Sequence, residues 1–225
     1  MNESNAFQQQ RSTMVSEQIA GRGVSDKRVL DAMRRVPREC FVAADMAARA
    51  YEDTPLPIEE GQTISQPYIV ALMLEAAELA PADRVLEIGS GSGYASAVAS
   101  LIGARVDAVE RHPRLAALAA QRLARGGYSN VAVHCGDGSG GWPDAGPFDA
   151  IIVSASGPRV PEALRDQLAI GGRLVMPVGD AATYQRLVKL TRVAADEFRE
   201  ADLGGVVFVP LIGTHGWAPG EADRS

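Results

Sequence analysis

Arg84-Val-Leu-Glu-Ile-Gly-Ser-Gly-Ser-Gly-Tyr94 joins a short apolar run to a closely spaced glycine turn. Val85 to Ile88 carries a single acid, Glu87, and leads straight into Gly89, Gly91 and Gly93; a helix-compatible run of small residues follows from Ala95 to Ile102. Strand, glycine turn and helix in that order make the first half of a βαβ nucleotide-binding unit. Glycines there let the backbone approach a ligand that a Cβ would obstruct. The spacing departs from the dinucleotide fingerprint G-x-G-x-x-G, because the sixth position counted from Gly89 is Tyr94. A carboxylate two residues before the first glycine repels a pyrophosphate and suits a cationic group. S-adenosylmethionine carries an ammonium and a sulfonium and no phosphate, so the loop Gly89, Ser90, Gly91 and Gly93 fits it better than NAD. The alternative is an ordinary βα turn with no ligand.

Downstream, Arg105 to Val109 reads as a strand ending in Glu110, which lies 21 positions after Gly89 with Arg111 beside it. The second strand of this fold holds an acid there against ribose hydroxyls. Pro113 to Arg125 is predicted helical and is stopped by Gly126-Gly127; Val131 to Cys135 is the next strand, with the turn Gly136-Asp137-Gly138-Ser139 at its carboxyl end. Ligands of doubly wound sheets sit at such ends, which places Asp137 and Gly138 at the adenine. A plain turn aspartate is the bland alternative. Phe148 to Val153 is apolar throughout, as a strand buried on both faces should be. A helix around Pro161 to Leu168, a turn at Gly171-Gly172 and a strand from Arg173 to Met176 follow. Gln185 to Val193 and Leu203 to Val209 alternate around a charged turn, Asp196 to Glu200, and predict an antiparallel hairpin closing the sheet. The tail from Ala218 to Ser225 is expected to fray.

Upstream, Ser4 to Ala20 has helical spacing, and Ser25 is the expected N-cap of a second helix carrying Val29, Leu30, Met33 and Val36, closed by Pro37. The irregular stretch Tyr51 to Pro67 contains prolines and a glycine that forbid a long helix or central strand. A helix is predicted over Tyr68 to Leu79, with Ser65 as its N-cap and Pro67 in its first turn. Thr63 and Ser65 then stand at a helix N-terminus, where unpaired N–H groups and the dipole favour a carboxylate. Ser65 reads as a cap, a catalytic group, or both. Among the histidines, His134 is expected in the core, His112 at a ligand edge, and His215, in a C-terminal loop, facing a substrate. No metal-ligand cluster can be assembled.

Composition narrows the class. With 225 residues, 46% hydrophobic and 22% charged, the chain fits one α/β domain with a sizeable core. A net charge of −6 and the lack of a dense Lys/Arg run disfavour nucleic acid as the partner. No run reaches membrane-spanning length, and the Gln-rich start lacks the apolar core of a signal peptide. Cys40 and Cys135 read as free thiols, which suits the cytoplasm. A monomer is expected.

Six blocks resemble the protein-L-isoaspartate O-methyltransferase family: Arg35–Val42, Pro57–Pro67, Val85–Gly93, Gly136–Trp142, Gln167–Gly179 and Phe208–Gly213. The glycine loop fits many methyltransferases, whereas Gly61-Gln-Thr-Ile-Ser65 is far more specific. The resemblance implies a Rossmann-like, mostly parallel doubly wound sheet with a C-terminal antiparallel hairpin and N-terminal helices. It implies one methyltransferase domain: a helical brace (1–50), a substrate segment (51–80), a cofactor core (81–180), antiparallel strands (181–217) and a tail (218–225). It further implies S-adenosylmethionine as cofactor, methyl esterification of isoaspartyl carboxylates in proteins and peptides, and Ser65 as the active-site serine. Two stretches depart from the family: Ser154-Ala-Ser156 replaces the usual Thr-Ala-Ala, and Ser139 stands where an aromatic residue is common. Rival readings are an O-methyltransferase acting on an aspartate of one dedicated peptide, and a cofactor-binding protein without turnover.

Overall fold

A computed structural model describes residues 3–180 and 184–220. Helix α1 (Glu3–Thr13) runs on through a π turn (Met14–Ile19) and a 3-10 turn (Ala20–Arg22), so the expected N-terminal helix is present but changes pitch where Met14, Val15 and Ile19 bury. Helix α2 (Lys27–Arg35) is capped by Asp26, not Ser25: Asp26 Oδ1 accepts from Arg28 N at 2.8 Å. The reason is tertiary, since Glu75 Oε1 takes the backbone N–H groups of both Ser25 and Asp26, at 2.6 and 2.7 Å.

A minimal hairpin, β1 (Leu56–Pro57) with β2 (Thr63–Ile64), precedes helix α3 (Pro67–Ala76). Pro67 occupies the first helical position, so Gln66 and not Ser65 is the N-cap residue, and no side chain caps there. Strand β3 (Arg84–Ile88) and helix α4 (Tyr94–Ser100) flank the glycine loop. Strand β4 (Arg105–Glu110), helix α5 (Pro113–Arg125), β5 (Val131–Cys135) and β6 (Phe148–Val153) fall where the periodicity predicts. After α6 (Glu162–Asp166), strand β7 (Leu168–Gly179) runs through the predicted Gly171-Gly172 turn, which is instead an irregularity beside the register shift between Phe148 and Ala150. Strands β8 (Gln185–Ala194) and β9 (Glu197–Val206) form the expected hairpin. Its turn is tighter than predicted: Ala194 pairs with Glu197, so most of the charged run Asp196 to Glu200 lies within β9. Charge on an edge strand blunts pairing with other chains, which is why the run mimics a turn.

The seven strands lie in the order β5-β4-β3-β6-β7-β8-β9. Strands β5 through β7 pair in parallel, and β8 and β9 are antiparallel. The order reverses between β3 and β6, so their carboxyl ends open the crevice in which this architecture binds ligands. Alternation sorts the strand residues into two cores. Val85, Ala150 and Ile152 pack with residues of α2 to α5; Leu86, Ile88, Ile151 and Val153 pack with Leu164 of α6 and with Phe148. His134 is not a core residue. It sits on the half-buried edge strand β5, its Nε2 2.9 Å from Asp107 Oδ1 and its ring stacked on Trp142 at 4.2 Å. Both cysteines are free and exposed. Among the described residues no helix is long and apolar enough to cross a membrane. Met1, Asn2 and residues 221–225, on which most of the frayed-tail expectation falls, lie outside the described residues.

Candidate active site

Gly89, Gly91 and Gly93 all have positive φ, at 78°, 53° and 90°, a conformation that L side chains adopt only with strain. At Gly91 a Cβ would also stand 3.4 Å from Ile58 Cδ1. The loop is held from the sheet: Gly89 N and Ser90 N donate to Val109 O at 2.9 and 3.2 Å. Ser90 is buried and its Oγ has no partner among the described residues, an orphaned hydroxyl in the cleft wall.

Period-two alternation along β3 puts Glu87 on the face of α4, and Ser96 Oγ of that helix donates to its carboxylate. Glu87 is 2% exposed. Burial pushes its carboxyl up to about 8; the Ser96 hydroxyl opposes the rise and the nearby Glu110 charge adds to it. Among the described residues no cation stands beside this buried carboxyl in the cleft wall, which suits a ligand that brings one. Glu110 ends β4 and is 4% exposed. Its Oε2 accepts from Gly91 N and its Oε1 from His112 N, both at 3.0 Å. Each oxygen keeps a lone pair for a ribose hydroxyl. Glu110, Arg111, His112 and Gly138 line one cleft with Gly89 and Gly91. A Cβ on Gly138 would meet Ile88 Cγ2 at 2.7 Å.

Asp137 has structural work that its sequence position did not disclose. Its Oδ1 accepts from Ser139 N at 2.9 Å and Ser139 Oγ at 2.6 Å, and its Oδ2 from Thr214 N at 2.8 Å. Partial burial raises its carboxyl, but these hydrogen bonds outweigh burial and hold it below the usual range. Ser139, a departure from the family pattern, also accepts from His215 N at 3.0 Å and so joins this turn to the C-terminal loop. His215, expected to face a substrate, is exposed with its ring beside Gly140, and it stands outside the residues that line the glycine-loop clefts and the larger cavity described next.

Thr63 and Ser65 stand in the wall between the glycine-loop cleft and a cavity of about 660 Å³, and line both. Ser154, from the second departure, lines the same two spaces at the carboxyl end of β6. Among the described residues no hydrogen bond reaches Ser65 Oγ, so its hydroxyl is free to donate. Tyr184 and Val207 on the cavity wall are 65% and 79% exposed. Sequence reading missed Ser96, although a hydroxyl in the first turn of α4 faces the only acid of β3. It also missed Gln62 in the second cleft.

A doubly wound sheet, a G-x-G-x-G loop with a buried acid before it and an acid at the second strand's end define an S-adenosylmethionine-type methyltransferase domain. The family model for protein-L-isoaspartate(D-aspartate) O-methyltransferase (PCMT) matches residues 9–216, and the chain belongs to that family. Protein-L-isoaspartate O-methyltransferase of Rhodopseudomonas palustris (strain ATCC BAA-98 / CGA009) is 57% identical, over 94% of this chain and 98% of its own. The Protochlamydia amoebophila protein of the same name is 54% identical over 91% of this chain and 97% of its own. A solved protein-L-isoaspartate O-methyltransferase superposes with a TM-score of 0.83 at 31% identity, covering 92% of this chain and 67% of the other. A Plasmodium falciparum PCMT structure in complex with S-adenosyl-L-homocysteine gives 0.78 at 28% identity, covering 90% and 98%.

Proposed function

We propose that the chain methylates the free carboxylate of L-isoaspartyl residues in proteins and peptides, from S-adenosylmethionine, and so initiates repair through a succinimide. One observation carries the reading: a serine with an unpartnered hydroxyl stands between the glycine-loop cleft and a cavity large enough for a peptide side chain. An isoaspartyl carboxylate, with a pKa of about 4, is ionised at neutral pH and needs no general base. The chain must supply position and dryness. Ser65 Oγ donates one hydrogen bond that fixes a carboxylate oxygen without neutralising it, and a single donor avoids overstabilising the ground state. Thr63 lies beside it as a second substrate contact. S-adenosylmethionine, when bound, supplies an electrophilic methyl group. Glu87 would hold its ammonium, Glu110 with Arg111 its ribose edge, the loop Gly89 to Gly93 its methionyl end, and Asp137 and Gly138 its adenine. Exposed Tyr184 and Val207 offer apolar surface to residues flanking the isoaspartate.

The reading includes one methyltransferase domain acting as a cytoplasmic monomer without nucleic acid. The test is base-labile methyl incorporation from labelled cofactor into an isoaspartyl peptide and its aspartyl twin. Incorporation into the isoaspartyl peptide alone is expected. Equal labelling of both twins, or labelling only of one dedicated aspartyl peptide, overturns the substrate, and cofactor binding without any labelling overturns the activity.

A further inference from the structure

Among the described residues no hydrogen bond holds the Ser65 side chain, so the place of its hydroxyl depends on its main chain. That main chain spans the two-residue link between β2 and α3. We infer that Arg38 is a positioning residue for Ser65, clamping the serine's carbonyl so that its hydroxyl stays in the wall shared by cleft and cavity. The inference rests on the catalytic reading of Ser65 given above.

Arg38 opens the short 3-10 turn Arg38–Phe41 and is completely buried. Its Nη2 donates to Ser65 O at 2.9 Å and its Nε to Ala50 O at 2.7 Å, while its guanidinium lies over the Tyr94 ring at 4.8 Å. Tyr94 opens the helix behind the glycine loop, so Arg38 spans from the cofactor loop's helix to the serine. A second tether acts one residue on. Asp53 Oδ2 accepts from Gln66 Nε2 at 2.7 Å and pairs with Arg22 at 2.6 Å, and its Oδ1 accepts from Tyr68 N at 3.2 Å. Ser65 thus sits between a fork on its own carbonyl and a clamp on the following residue.

Stability alone does not explain the arginine. Among the described residues Arg38 Nη1 has no partner, and burial pushes the guanidinium below its usual value. A buried cation with an orphaned donor is costly, and that cost stands against the two carbonyls the side chain holds, Ala50 O and Ser65 O. What the guanidinium adds is a rigid fork that grips two carbonyls at once.

A double-mutant cycle tests this, using Arg38→Met, Ser65→Ala and the pair. Turnover on an isoaspartyl peptide is measured well below each melting temperature, with S-adenosyl-L-homocysteine affinity alongside. Arg38→Met is expected to lower kcat by roughly tenfold to a hundredfold with cofactor affinity within about twofold, as misplacement of a positioning group does. In the Ser65→Ala background the same change should cost less than about threefold, because its effect runs through the serine. Equal losses in both backgrounds, or a cofactor-affinity loss matching the kcat loss, overturn the inference and leave the role of Ser65 standing. Wild-type turnover in Ser65→Ala removes the catalytic reading itself, and the inference with it. Should Arg38→Met not fold, Arg38→Lys serves in the same cycle, since an ammonium reaches one carbonyl but does not fork.

Discussion

Arg122 Nη2 lies 2.6 Å from Glu59 Oε1, and this pair ties α5 to the β1–β2 hairpin that covers the glycine loop. Thr63 and Ile64 of that hairpin line the cleft with Gly89 and Gly91, and Ile58 packs over Gly91. The neighbouring pair, Arg114 with Glu60, is longer at 3.5 Å, and Arg114 is 74% exposed.

Burial decides which pair matters. Exposed pairs contribute about 0–1 kcal/mol and removing one partner of a fully buried pair costs several; Arg122 and Glu59, with side chains 13% and 23% exposed, fall between. Arg122→Met is therefore expected to destabilise the protein by about 1–2 kcal/mol and to hasten S-adenosyl-L-homocysteine dissociation, while Arg114→Ala does neither. Stopped-flow displacement and thermal melts give both numbers; equal effects of the two changes would remove the hairpin pair as a latch. The pH dependence has a defined sign. Burial raises the Glu59 carboxyl, but the Arg122 hydrogen bond and charge bring it below its ordinary value. The contribution is thus present above the ordinary carboxylate range and lost as pH falls through the depressed value, and Arg122→Met should flatten that acid limb.

Glu87 works in the opposite direction. Its carboxyl is raised from 4.5 to about 8, chiefly by burial. Stability from this group is fully present below its ordinary value and is lost as pH rises toward 8. Glu87→Gln should therefore be more stable than the parent at the alkaline end and little different at the acid end. A ligand ammonium needs the ionised form, so cofactor binding should release a proton. The affinity of S-adenosyl-L-homocysteine should then rise with pH below 8, by at most about tenfold per unit. Calorimetry in buffers of different ionisation enthalpy reads the proton directly. A pH-independent affinity in the parent would sink the assignment of Glu87 to the ammonium.

What the sequence disclosed follows from the range of the interactions involved. The loop from Gly89 to Gly93 is legible because positive φ at three positions demands glycine locally, and Glu87 because it is the one acid in an apolar strand. The strands of the parallel core are legible from apolar runs that both faces bury. Where adjacent residues compete, the local signal fails: Ser25 and Asp26 are both capping types, and Glu75, some fifty residues on, decides between them. Arg38 was invisible because nothing local distinguishes a surface arginine in a 3-10 turn from one that reaches Ser65, 27 residues away. Charges on the edge strand β9 imitate a turn, and His134 imitates a core residue until Asp107 and Trp142 are seen around it.

Asp137 separates two roles that its position alone confounds. If the carboxylate chiefly holds the C-terminal loop, Asp137→Ala frees Thr214 N and Ser139 and should cost about 1–3 kcal/mol of stability, the usual effect of unpairing such groups. If it also receives the adenine amino group, affinity for S-adenosyl-L-homocysteine should fall more than affinity for an analogue lacking that amino group. Melting curves and calorimetry on the two ligands separate the outcomes. Equal losses for both ligands would confine Asp137 to the loop.

Glu110 permits the sharpest test of the cofactor geometry, because its local and ligand-directed bonds use different lone pairs. Locally, it accepts from Gly91 N and His112 N, so Glu110→Ala leaves both N–H groups unpaired and disturbs the glycine loop. Glu110→Gln restores little, since an amide offers one acceptor oxygen and turns an NH₂ toward the second N–H. A fall in affinity for S-adenosyl-L-homocysteine in either variant therefore mixes loop damage with lost ribose contacts. A 2′-deoxy analogue of that ligand resolves the mixture. In the parent, the missing hydroxyl should weaken binding by roughly 1.5–3 kcal/mol, the size of one charge-assisted hydrogen bond. In Glu110→Ala the two ligands should bind alike, because the acceptor that told them apart is gone. A discrimination that survives the substitution would move ribose recognition to another residue and leave Glu110 a brace of the loop.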